Sequence, residues 1–345
     1  MTGGAPRAPS PAAKAPPQTD DSHVLDDADA GTTLAAALRK RMPGRSWNDV
    51  RRLVETGKVR VNGDVVVDAA VRVNAGARVT LSMTAPRPRA EIAGFRVAFE
   101  DGHVIIIEKP SGVTSVPYER KDTGTALDLI RAHWRRAGKR ATTTPLYTVH
   151  RIDKDTSGLL CFAKTRLAER ALHDVFQRHT ARREYLAVAE GAVDSRRIES
   201  TLVADRGDGI RGSANGRWAR AGLTGDGQRA ITHVTALRRL RAATLLRVRL
   251  ETGRTHQIRI HLSEAGHPLV GETVYIRDLL RAGGQPLPSP RLMLHAATLG
   301  LPHPVTGEPI DLRAAPPPDF LETLEALGGA RQDVDGVDDL GDGDV

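Results

Sequence analysis

Ala85-Pro86-Arg87-Pro88-Arg89 divides the chain into two stretches that no single strand or helix can span. A proline lacks the N–H that a ladder or helix interior needs and pushes the preceding residue out of helical conformation. The hydrophobic pattern changes across this break. Upstream, Leu34 and Leu38 with their neighbouring alanines predict a short helix, stopped at Pro43-Gly44. Ser46 followed three residues later by Asp49 is placed to cap a second helix, in which Val50, Leu53 and Val54 repeat at helical spacing before Gly57. Val59 and Val61 then alternate with Lys58 and Arg60, and Asn62-Gly63 turns the chain into Val65-Val66-Val67, a strong hairpin signal. Downstream, short apolar runs at 104–107, 159–163, 185–188 and 245–250 predict strands. A helix presenting Ala168, Leu172, Val175 and Phe176 on one face follows the second of them. Strands outnumber helices without alternating with them, which gives an α+β class with a mixed, largely antiparallel sheet and a small separate N-terminal domain.

The expected organisation is a disordered leader over 1–30, a compact unit over 31–86, a main domain over 87–327 and a disordered acidic tail over 328–345. Hydrophobic residues at 40% and charged residues at 27% of 345 supply enough core to exclude global disorder. No run approaches the ~18 apolar residues of a membrane span, and the Ala/Pro-rich start has no secretory h-region, so a cytoplasmic protein that makes no membrane contact is expected. The one cysteine, Cys161, can form neither an internal disulfide nor a cysteine-cluster metal site. The formal net charge is +8. Residues 31–86 carry ten Lys/Arg, among them Arg51, Arg52, Lys58 and Arg60, against four acids. Such a surface favours a polyanion, of which nucleic acid is the simplest, although an Arg-rich coding bias produces the same composition.

Two segments carry candidate chemistry. His150-Arg151-Ile152-Asp153-Lys154-Asp155-Thr156-Ser157-Gly158 is a polar loop at the entry to an apolar strand. A carboxylate bracketed there by cations and hydroxyls suits an ionised nucleophile or base, and a capped polar turn is the plainer alternative. A kinase loop is excluded by the intervening Ile152 and by the absence of a Gly-rich phosphate loop or Asp-Phe-Gly. The second segment is Glu251-Thr252-Gly253-Arg254-Thr255-His256-Gln257-Ile258-Arg259-Ile260-His261. Thr255 is placed to cap a short helix beside two arginines, which makes an anion site. His256 and His261, five apart, fit no familiar zinc spacing, so no metal is expected.

The first segment resembles the signature of the RluA-type pseudouridine synthases. The resemblance extends over about 31–325 and takes in Glu108-Lys109-Pro110-Ser111-Gly112, Arg183-Glu184-Tyr185, Gly253 to Arg259, Gly266-His267-Pro268-Leu269-Val270-Gly271 and Leu294-His295-Ala296. Residues 31–86 resemble the α-L RNA-binding motif first seen in a ribosomal small-subunit protein. The resemblance implies a pseudouridine synthase fold and isomerisation of uridine in RNA, without metal or cofactor, by a monomer. It implies large-subunit (23S) ribosomal RNA as partner, with transfer RNA as the second class. Asp153 is then the catalytic residue, Arg259 its ion-pair partner, and Tyr185 the platform for a flipped uracil. Arg151 fills the vacated stack, and His150, Arg254 and Thr255 join it on RNA. Three positions depart from the family pattern: Ile152 for Leu, Arg183 for Lys and Glu272 for Asp. An RNA-binding assembly factor that has lost catalysis would be free to lose Asp153, Tyr185 and Arg259, and all three are present. A glycosidase would need a paired second carboxylate, which is not evident.

Overall fold

The computed structural model describes residues 21–66, 69–83, 85, 95–117, 122–136, 144–206, 209–214, 216, 227–281 and 283–335. The leader through Asp20, Val67, linker residues 86–89 and the tail from Gly336 lie outside this set. The chain divides into two compact units, Met1–Arg89 and Ala90–Val345, a boundary three residues beyond the one expected.

The smaller unit contains β1 (Asp21–Val24), α1 (Leu34–Arg41), α2 (Trp47–Glu55), β2 (Val59–Val61), β3 (Asp64–Val65) and β4 (Arg78–Leu81), with sheet order β1-β4-β2-β3. Ser46 and Asp49 close a reciprocal capping box at α2, the Ser46 hydroxyl accepting the Asp49 N–H at 3.1 Å. Val50, Leu53 and Val54 face the core against Leu34 and Leu38. Asn62 and Gly63 both take positive φ (52° and 94°), the turn that this dipeptide favours. Residues 21–30 of the expected leader are folded. Residues 21–24 pair with β4, and buried Asp29 accepts hydrogen bonds from Lys40 (3.0 Å) and Arg41 (2.5 Å). The acidic composition that reads as solvated is neutralised by cations from α1.

The larger unit runs β5 (Arg96–Glu100), β6 (Val104–Lys109), α3 (Ala126–Arg136), β7 (Tyr147–Thr148), β8 (Ser157–Ala163), α4 (Arg166–Gln177), β9 (Arg182–Glu190), β10 (Arg196–Val203), β11 (Gly212–Ser213), β12 (Gln228–Arg239) and β13 (Ala243–Leu250). It continues with α5 (Gln257–Glu264), α6 (Arg277–Arg281), β14 (Leu294–Pro302), β15 (Pro309–Arg313), α7 (Pro318–Ala326) and α8 (Gln332–Asp335). Its sheet has the order β11-β10-β12-β13-β9-β14-β8-β6-β5, with β15 on β14 and β7 on β8. Among the described residues β8 and β14 form a parallel pair, through His295↔Ser157 and Ala296↔Gly158, and the other strand pairs are antiparallel. Alternation along β6 explains its unbroken apolar run. Ile105 and Ile107 pack toward α3 and α5, while Val104 and Ile106 pack toward α4. Residues 332–335 of the expected tail are folded: Asp333 of α8 is ion-paired to Arg238 at 2.5 Å, and Val334 packs beside Phe320 and Leu324 of α7.

Candidate active site

The polar loop 150–156 is held from beneath by residues 109–115. Lys109 is buried, and its Nζ donates to the carbonyls of Pro110 (2.9 Å), Val113 (2.7 Å) and Lys154 (2.9 Å). Burial pulls its pKa down to about 7, with Asp155 and Asp153 opposing. Ser111 donates to the Asp155 carbonyl, and Ser115 both donates to the Ile152 carbonyl and accepts the Ile152 N–H. Ile152 enters the core, so Leu or Ile serves there. At the exit, Gly158 has φ +111°, and a Cβ there would overlap the carbonyl oxygen of Ala296 across the parallel β8–β14 contact. No other residue fits that approach.

Above the loop lies a cavity of about 380 Å³, walled by Tyr185 at the start of β9, Phe176 from the end of α4, and residues 253–259 leading into α5. This is the size range of small-ligand sites. Asp153 borders it with 16% of its side chain exposed, its Oδ2 3.9 Å from Arg259 Nη1 and its Oδ1 4.0 Å from His256 Nε2. Tyr185 is buried against the same core as Ile258 and Leu294. Burial pushes its phenol pKa up, against the pull of Arg183 and with the help of Asp153, so it is a neutral phenol at ordinary pH.

Arg259 is aimed by a residue that the sequence reading noted only as a departure. Its Nε and Nη2 each donate to Glu272 at 2.7 Å, a bidentate pair. Glu272 also accepts the N–H groups of Thr273 (3.0 Å), Val274 (2.8 Å) and Tyr275 (3.3 Å). Burial alone would raise Glu272, but the Arg259 charge and these donors hold its pKa below the usual value. The expected Asp153–Arg259 pair is therefore the looser of two contacts, and Glu272 is the tight one.

Arg151 is exposed and lines the mouth. Arg254 and Thr255 line it too, half-buried, with Arg254 Nε on the Arg229 carbonyl at 3.1 Å. Thr255 does not cap α5. His256 is the N-cap, in left-handed conformation, and the Gln257 side chain accepts the Arg254 N–H instead. His150 is turned inward: its Nε2 accepts the Cys161 N–H at 2.9 Å and its ring stacks on Phe176 at 4.4 Å. Burial draws its pKa down to about 3, with Arg183 adding to the effect, so the ring is a neutral brace for the loop and offers RNA no charge. Arg183, the third departure, lines the wall with Nη2 on the Glu251 carbonyl at 3.2 Å, and its buried Nε has no partner among the described residues. On the smaller unit, Arg51 and Arg52 are exposed on α2. Arg60 is exposed with Nη1 on the Gly63 carbonyl, and Lys58 donates to the Ala85 carbonyl. Sequence reasoning missed Lys109, His256, Glu272 and Tyr275 as site residues; each lay inside a quoted or adjacent motif, but its role depends on contacts that spacing does not show. Among the described residues no cluster of His, Cys, Asp and Glu could hold a metal ion, and no helix is long and apolar enough to cross a membrane.

Residues 103–264 match the RNA pseudouridylate synthase family. The chain is 36% identical over 291 residues to an RNA pseudouridine synthase of Bacillus subtilis, YlyB, covering 82% of this chain and 89% of that one. It is 32% identical to the ribosomal large subunit pseudouridine synthase D of Vibrio parahaemolyticus (89% and 94% covered) and 34% identical to that of Zymomonas mobilis (86% and 94%). The solved structure of human RNA pseudouridylate synthase domain containing 1 shares the fold, with a TM-score of 0.52 at 22% identity over 70% of this chain and 90% of that one. With such relatives matched at 32–36% identity along most of its length, the chain belongs to the RluA-type family of RNA pseudouridine synthases.

Proposed function

We propose that the chain isomerises uridines in large-subunit ribosomal RNA, with Asp153 as the attacking residue. The observation that carries this reading is the placement of Asp153. It is a partly exposed carboxylate on a braced loop, at the edge of a nucleoside-sized cavity and facing two donors. The reaction breaks C1′–N1, turns the base and joins C1′ to C5; the C5 proton is lost and N1 gains one, so the product is an isomer. Glycosidic cleavage places positive charge on the sugar, which a carboxylate stabilises or traps. A carboxylate here can attack at C1′ or add at C6, and either route reaches the same product.

The target base must leave its helix to enter the cavity. Tyr185 receives the flipped uracil, and its neutral phenol is a poor base unless a partner takes its proton. Arg151 at the mouth enters the vacated stack, and Arg254 and Thr255 meet the flanking backbone. Arg259, fixed by Glu272, supplies the positive charge opposite Asp153. Arg51, Arg52, Lys58 and Arg60 of the smaller unit add phosphate contacts. The ribosomal substrate is supported by the Vibrio and Zymomonas relatives, which are ribosomal large subunit pseudouridine synthases.

The test is pseudouridine mapping across ribosomal and transfer RNA in cells carrying the wild-type chain, Asp153→Asn or neither. Large-subunit sites are expected to vanish without the chain and to stay absent with Asp153→Asn, whose turnover in vitro should fall roughly 10⁴-fold. Sites lost from transfer RNA alone would redirect the substrate, and full modification by Asp153→Asn would overturn its role.

A further inference from the structure

Each oxygen of Asp153 faces a different donor, Arg259 on Oδ2 and His256 on Oδ1. His256 holds φ at +59° with no glycine's freedom to do so, a strained conformation that persists where the surroundings impose it. Those surroundings are specific. His256 Nδ1 lies 2.8 Å from the Tyr275 hydroxyl, the two rings meet edge to face, and Tyr275 in turn lies under the Arg259 guanidinium. The charged groups around the imidazole are Asp153, Arg259, Glu272 and Arg211. Burial lowers its pKa, with Asp153 opposing, so the ring is neutral and carries one proton. A proton on Nδ1 would leave the Nε2 lone pair facing a carboxylate. The proton therefore sits on Nε2, and the Tyr275 hydroxyl donates to Nδ1.

We propose that His256 is a positioning residue for the isomerisation. Its Nε2–H, fixed as a donor by Tyr275, holds Asp153 Oδ1 and keeps the carboxylate plane aimed while the glycosidic bond breaks. This rests on the reading of Asp153 as the attacking group. At 4.0 Å the contact is just beyond hydrogen-bond reach, and it closes when RNA fills the cavity, as catalytic hydrogen bonds commonly do. Tyr275 is then a second positioning residue, acting through the imidazole.

The experiment measures RNA affinity and single-turnover tritium release from an unmodified large-subunit ribosomal transcript labelled at uridine C5. The variants are His256→Phe, His256→Gln, His256→Asn and Asp153→Asn. Phe keeps a ring without a donor and should slow the step roughly 100-fold, with affinity within about twofold. The Gln amide reaches the place of Nε2 and should recover to within about tenfold of wild type. Asn tolerates the left-handed backbone but is too short to reach Asp153, so it should be as slow as Phe and serves alone if Phe unfolds. His256→Phe or His256→Asn within threefold of wild type, Gln no faster than these, or a defect confined to affinity would each overturn the proposal. An active Asp153→Asn would instead overturn the assignment of Asp153 on which it rests.

Discussion

Glu272 and Arg259 form a closed pair in which neither charge reaches water: both side chains are at most 5% exposed. A buried ion pair adds little net stability, but removing one partner strands the other, at a cost of about 3–5 kcal/mol. Glu272→Gln keeps the shape and removes the charge. It should lower unfolding free energy by roughly 3 kcal/mol in urea titrations. It should also slow catalysis, because Arg259 is released from its mooring opposite Asp153. Unchanged stability would mean that the backbone N–H groups, not Arg259, are the main partners of Glu272. The sequence showed Glu272 as a longer side chain where the family has Asp. That its extra reach meets a bidentate guanidinium and three amides is a fact of folding, since Arg259 lies thirteen residues upstream on another element.

At the scale of elements, α5 and β14 are each pinned by a buried neutral histidine. His261 sits between Thr232 (2.8 Å) and Ser200 (2.9 Å), and His295 between Ser157 (2.7 Å) and the Ala314 carbonyl (3.0 Å). Burial holds both down to about 4, against 6.5 when unfolded. Below pH 6.5 the unfolded chain takes up protons that the fold refuses, so their stabilisation is full above 6.5 and is lost as pH falls toward 4. At pH 5 each should have cost about 2 kcal/mol. Urea midpoints at pH 7.5 and 5.0 check this, and equal values would show that neither ring is held neutral. Elements set by local chemistry were legible in the sequence: the Ser46–Asp49 cap and the Asn62-Gly63 turn need only their own residues. Strand β1 was not, because Asp-Ser-His-Val has no strand character until β4 pairs with it. Thr255 shows where a local rule fails: the helix starts one residue later, with His256 in left-handed conformation at the N-cap. In the site, the family resemblance pointed to Asp153, Tyr185 and Arg259, which do border one cavity, but it could not show that His150 turns inward.

The whole molecule combines two units with different tasks in the proposed function, one for chemistry and one for grip. If Arg51 and Arg52 meet phosphates, replacing both with Ala should weaken ribosomal RNA binding and flatten the plot of log affinity against log salt by up to about two units. An unchanged slope would remove α2 from the RNA contacts. The parallel seam between β8 and β14 bears on how the enzyme comes into being. Ser157 and Gly158 pair with His295 and Ala296, well over a hundred residues later in the chain, so the loop bearing Asp153 lacks one wall of its support until that strand is made. Long-range pairings of this kind form late. At the pace of translation the gap amounts to roughly ten seconds or more, during which a growing chain already displays its basic α1 and α2 but has no assembled isomerisation site. In the proposed function the grip is therefore made before the tool, and a message truncated before β14 is expected to yield a chain without an assembled isomerisation site.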